Sequence, residues 1–209
     1  MKRPSLLFLP FLLFLAGVFV SCEETEEVGK YDNWRERNEA FADSIKTLTG
    51  DNYVATMEAA DRMELGKLYA IQTTAGTNTG EQYVYCKKLL KNETGERPLY
   101  SGYHSTVSAY YYGTLITGDK FDGNFEGYGS LDRNIPIPPQ KKETEFDSPT
   151  TFTVAGVVPG WTWALQYMRT GERWMLYIPW QSGYGAAGKD AILGYTALTF
   201  DLMLDSIVE

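Results

Sequence analysis

Reactive side chains are scarce in this chain of 209 residues, and that scarcity narrows its chemistry from the start. There is one histidine, His104, after Gly102-Tyr103 in a loop-like stretch. No Cys or His stands at ligand spacing from it, so no metal centre is expected. Serines, threonines and carboxylates abound, but a hydrolytic triad needs a base, and one unplaced histidine is a poor candidate. No Gly-x-Ser-x-Gly elbow occurs, nor a P-loop ending in Lys-Ser or Lys-Thr, and no cofactor is expected. Positive charge is also short. Lys and Arg number 19 against 27 Asp and Glu, and the net charge of -8 disfavours nucleic acid and anionic membrane surfaces as partners.

Cysteine is limited to Cys22 and Cys86. The first follows Lys2, Arg3 and the apolar run Leu6 to Val20, which is short for a spanning helix and reads as a secretory signal over residues 1–21. Phe19-Val20-Ser21-Cys22 resembles the lipobox of bacterial lipoproteins, in which the Cys is acylated and becomes the mature N-terminus. The alternative is an ordinary signal peptide with an incidental Cys. Losing Lys2 and Arg3 takes the charge from -8 to -10, so membrane attachment would rest on the lipid at Cys22. The expected location is the bacterial cell envelope, anchored to the outer membrane at its periplasmic face or at the cell surface. Residues 22–30 form an acidic linker. Its Glu23-Glu24-Thr25-Glu26-Glu27 is either a solvated tether or resembles the signals that send some Bacteroidetes lipoproteins to the surface. With Cys22 acylated, Cys86 has no disulfide partner and is expected as a buried strand thiol.

Tyr31, Trp34, Phe41, Ile45 and Leu48 recur at helical spacing, with Asp32 as N-cap and Gly50 as stop. Tyr53 to Leu65 contains no breaker, and residues 31–80 are expected as a helical extension. Its apolar stripe either docks on the chain's own domain, the commoner outcome, or forms a homodimer seam. Thr73 to Gly80 has the composition of a loop or hairpin tip. Beyond it, runs rich in Tyr, Val, Thr and Leu at 83–89, 106–112, 172–178 and 196–204 predict strands. Trp161, Leu165 and Met168 share one helical face. The fold class is α+β, an antiparallel sheet wrapped around a short helix, over residues 81–209. Gly123 to Pro149 is rich in Gly, Pro and charge and reads as an insertion.

Four blocks then stand in a telling order: Tyr111-Tyr-Gly-Thr-Leu, Gly118-Asp-Lys-Phe-Asp122, Val157 to Gly185 with Val-Val-Pro-Gly-Trp and a later Gly-Tyr-Gly, and Thr196 to Leu204. Together they resemble the FKBP-type peptidyl-prolyl cis-trans isomerases over roughly Tyr83 to Val208. The resemblance implies a proline ring on the face of Trp161, walls from Tyr111, Phe121, Val157, Val158 and Phe200, and Ile192 on the flap. It further implies that the Val158 N–H and the Tyr184 hydroxyl hold substrate carbonyls, with Asp122 at the polar edge. Read from residue type alone, Phe200 and Val157 serve equally as plain core, and Asp122 as a turn cap. Aromatics are 14% of the chain, but ordinary cores contain them too, so composition does not argue for a pocket.

Prolyl isomerisation suits such a site because it requires no acid, base or nucleophile. The barrier, about 20 kcal/mol, is loss of amide resonance on twisting the C–N bond. A twisted amide is less dipolar than a planar one, so an apolar pocket favours it, and the catalysis is differential binding. The resemblance implies proline-containing polypeptides as partners, macrolide inhibitors of the FKBP class as ligands, and a role in folding exported proteins. The alternative is a binding module of the same fold, gripping peptide or protein without turnover. Three positions depart from the family pattern: the flap reads Ile192-Leu193-Gly194, position 150 is Thr with Phe152 close behind, and Gly123 opens the insertion.

Overall fold

The computed structural model describes residues 29–73, 82–125 and 147–208. Their chain order is α1 (Trp34–Thr49), β1 (Tyr53–Val54), α2 (Met57–Asp61), β2 (Leu68–Thr73), β3 (Gln82–Leu90), β4 (Thr106–Thr114), β5 (Lys120–Gly123), β6 (Thr150–Thr153), α3 (Pro159–Tyr167), β7 (Arg173–Ile178) and β8 (Leu198–Val208). The strands form one sheet in the order β1-β2-β3-β7-β8-β4-β5, with β6 beside β5 on the free edge of β4. Only β1 and β2 are parallel.

Side-chain alternation divides the strands between two faces. Val84 and Cys86 of β3, Trp174, Leu176 and Ile178 of β7, and Leu198 through Leu204 of β8 pack with Trp161, Ala164 and Leu165 of α3. The odd set, Tyr85, Leu89, Met175 and Tyr177, packs with Ile45 and Phe41 of α1. Strand β7 is therefore buried at every position, being covered on both sides. The sheet is wrapped on α3 as expected, and the apolar stripe of α1 docks on the chain's own sheet. The helix also reaches the far end of the chain: Trp34 Nε1 donates to Thr196 Oγ1 at 2.9 Å, and Asn38 Oδ1 accepts the Ala197 N–H at 2.8 Å.

Several local expectations need correction. Residues 31–80 are only partly helical: beyond α1 they hold the single turn and a half of α2, and β1 and β2 belong to the sheet itself. Tyr53 pairs with Ala70 and Val54 with Ile71, a tertiary contact that outweighs local propensity. Asp32 does not cap α1. Asn33 holds that position in a left-handed conformation, while the Asp32 carboxylate accepts the Gly29 N–H. Gly50 does end the helix: its N–H still reaches the Lys46 carbonyl, and its φ of 57° turns the chain that follows off the helical path. Most of the 73–80 loop and of the 123–149 insertion lies outside the described residues, as do the signal segment and Cys22. No helix among the described residues is long and apolar enough to cross a membrane.

Candidate active site

Three strands and one helix bring a cluster of aromatic rings together. Tyr111 comes from β4, Phe152 from β6, Phe200 from β8 and Trp161 from the first turn of α3. The Trp161 ring lies 5.1 Å from Phe200, 5.3 Å from Tyr111 and 5.4 Å from Phe152, each edge to face. That is the arrangement ring quadrupoles favour, and it holds the cup rigid. Strand β4 carries no side chain at Gly113, where a Cβ would fall 2.7 Å from Phe121 and 2.8 Å from Phe200. Glycine there lets those two rings meet over the strand.

The cup opens as a cavity of about 250 Å³ lined by Tyr111, Asp122, Phe152, Gly156, Val157, Val158, Trp161, Tyr184, Lys189 and Phe200. Val158 stands just before α3, where Pro159 at the first position fits the helix start. Its carbonyl accepts the N–H groups of Trp161 and Thr162, while its own N–H donates to no group among the described residues. The indole N–H of Trp161 is likewise buried without a partner.

Two phenols complete the polar rim. Burial first, then the neighbouring Asp122 carboxylate, pushes Tyr111 far above the ordinary range. Burial first, then the charges of Asp122 and Asp190, also raises Tyr184. Both therefore keep their protons and remain donors across physiological pH. Asp122 accepts the Gly123 N–H at 2.8 Å. The ammonium of Lys189 lies 5.4 Å from the Tyr184 ring centre.

Seven of the nine residues named from the sequence line one cavity: Tyr111, Asp122, Val157, Val158, Trp161, Tyr184 and Phe200. Phe121 stands one ring behind, 5.4 Å from Phe200, and Ile192 packs on the core without lining the cavity. The flap segment turns back on itself, with Lys189 and Ile192 exchanging backbone hydrogen bonds at 2.8 and 2.9 Å. Phe152, Gly156 and Lys189 were not in the sequence-based set. Phe152 could have been found by its two-residue offset from Thr150, whereas nothing marks Lys189. Gly183 to Gly188 has the spacing of a dinucleotide loop, but a backbone turn and the Lys189–Ile192 bridge follow it rather than a helix. No group of three metal-ligating side chains gathers among the described residues.

The family model of the FKBP-type peptidyl-prolyl cis-trans isomerases matches residues 101–205. A macrophage infectivity potentiator of Trypanosoma cruzi is 46% identical over 71 residues, covering 31% of this chain and 36% of that protein. The outer membrane protein MIP of Legionella longbeachae is 32% identical over 130 residues, 62% of this chain and 45% of that protein. The crystal structure of FkpA from Escherichia coli superposes with a TM-score of 0.53 at 25% identity, covering 85% of this chain and 62% of that one. The chain thus spans less than half the length of each of these two relatives.

Proposed function

The chain belongs to the FKBP-type peptidyl-prolyl cis-trans isomerases, and on that premise we propose that it accelerates the cis-trans isomerisation of prolyl bonds in polypeptides of the cell envelope. The observation that carries this reading is an aromatic cavity bordered by two donors, the Val158 N–H and the Tyr184 hydroxyl. The proline ring enters against Trp161 between Tyr111 and Phe200. The Val158 N–H holds one substrate carbonyl and Tyr184 another. The amide, desolvated by the rings, then loses resonance more cheaply than in water. Asp122 supplies the polar edge of the cavity beside Tyr111. No proton or electron pair is transferred, and a thousandfold acceleration needs only about 4 kcal/mol of preference for the twisted state.

The test is a protease-coupled assay on a short proline peptide. Trp161→Ala should weaken both binding and turnover. Tyr184→Phe should lower kcat more than it raises KM, because its hydrogen bond matters most in the twisted state. Asp122→Asn should fall between them. Competition by an FKBP-class macrolide would mark the same cavity. A folded chain that binds the peptide but accelerates nothing would be a binding module, and the catalytic reading would be lost.

Envelope placement is supported by the relative named an outer membrane protein and by the signal-like segment before Cys22. Attachment is through acylated Cys22. Cys22→Ser should release the protein from the membrane fraction, and unchanged fractionation would refute the anchor. Access of external protease on intact cells separates a surface orientation from a periplasmic one.

A further inference from the structure

The prolyl cavity does not end at Val157. That residue also lines a second depression of about 440 Å³ on the outer side of α3, walled by Tyr100, Pro159, Trp163 and Gln166. Trp163 in turn lines a third, about 430 Å³, with Tyr53 and Tyr167. The three hollows therefore share walls in series and run from the cavity across the helix toward β1.

Their composition is telling. Among the described residues, no Asp, Glu, Lys or Arg lines the second or third depression. Instead Tyr100 in the one and Tyr53 in the other are 55% and 52% exposed. Contiguous exposed aromatics without charge mark a surface built to be covered, and Tyr and Trp are the residues that interfaces concentrate. The cleft between α1 and β3, by contrast, is lined by Glu39, Asp43 and Lys46 and has the ordinary character of solvated surface. Length fits an extended chain. Helix α3 has nine residues and spans about 14 Å, which an extended peptide crosses in about four residues.

We propose that this aromatic track holds the segment flanking the isomerised proline, so that the protein binds extended polypeptides rich in aromatic and aliphatic residues over about four positions beyond the proline. The occupant is the substrate chain itself, because the track is continuous with the cavity through Val157. The proposal rests on the isomerase reading for the cavity alone. Trp163 and Tyr100 are specificity residues that touch the flanking segment and not the reacting bond.

The test compares, on the full chain, an Ala-Leu-Pro-Phe peptide with versions extended by about four residues on its N- or C-terminal side. The extensions alternate Phe and Ser, or contain only Ser and Gly. One Phe-containing extension should lower KM about tenfold, with the Ser and Gly extension giving no gain. Trp163→Ala and Tyr100→Ser should each remove most of that gain while leaving turnover of the short peptide unchanged. If the Trp163 variant fails to fold, its ring being partly buried against the core, the exposed Tyr100 variant carries the test. Equal KM values for short and extended peptides, or a gain that survives in Tyr100→Ser, would overturn the track. If no peptide is turned over, the isomerase reading fails by itself. Tryptophan emission then decides the track, with tenfold tighter binding of the Phe extension supporting it and equal binding refuting it.

Discussion

A methyl group added at Gly113 should loosen the aromatic cup from beneath. The Cβ of Gly113→Ala would lie 2.7 Å from Phe121 Cζ and 2.8 Å from Phe200 Cε1, where relaxed carbon contacts are about 3.5–4.0 Å. Each ring must therefore withdraw by about 0.7–1.3 Å. Phe121 is partly exposed and can swing outward. Phe200 is 4% exposed, with Trp161 5.1 Å and Phe121 5.4 Å away, so its shift passes directly to the cavity floor. Overpacking of this kind costs about 1–3 kcal/mol, and replacing glycine in a strand returns about 0.5–1 kcal/mol. The net loss is about 0.5–2 kcal/mol, or several degrees in Tm for a chain of this size. Urea unfolding should show a lower midpoint at unchanged slope, and kcat/KM for a proline peptide should fall by more than the small unfolded fraction explains. A variant with wild-type midpoint and wild-type turnover would show that the rings have slack, and the packing argument would fail.

Glu172→Gln should destabilise by about 3–5 kcal/mol, because it leaves the fully buried Lys88 ammonium without its counter-ion at 2.6 Å; the double change Lys88→Met with Glu172→Leu should recover most of the loss in urea titration. The Cys86 thiol, completely buried and pushed well above its ordinary range by desolvation, should ignore a thiol reagent in the native state and react only on unfolding, and rapid native labelling would contradict that burial. Burial holds Tyr85 up to about 12, above the usual 10 of an unfolded tyrosine, so the unfolded chain loses its proton first. Stability from this group is intact below pH about 10 and declines as pH rises toward 12, by up to about 1.4 kcal/mol per unit, and Tyr85→Phe should flatten that limb of the pH–stability curve.

The parts legible in the sequence were those with enough residues to show a period. Strands β4 and β8 stood out as runs rich in Tyr, Val, Thr and Leu, and Trp161, Leu165 and Met168 mark the inner face of α3. The pocket followed because four blocks of the family pattern carry its rings. What the sequence concealed depends on partners far along the chain. Tyr53–Val54 is a strand only because Ala70 and Ile71 lie beside it, and β2 shows no alternation because both its faces are covered. Ile192 stands at the expected flap position, yet its turn bonds to itself and leaves the side chain off the cavity. Lys189 became a wall residue through the same turn, which no local pattern announces.

The contacts of Trp34 and Asn38 with Thr196 and Ala197 bridge 162 and 159 positions. During synthesis the first helix therefore emerges long before the segment that receives it. At ordinary elongation rates that interval is roughly 8–30 s, during which Ile45 and Phe41 also await strand β7. An amphipathic helix left open that long is a natural ligand for a holding factor. The ordering also means that a chain cut short before Ala197 cannot close, whatever the state of its other strands. Helix α1 thus reports whether the segment around Thr196 and Ala197 has arrived.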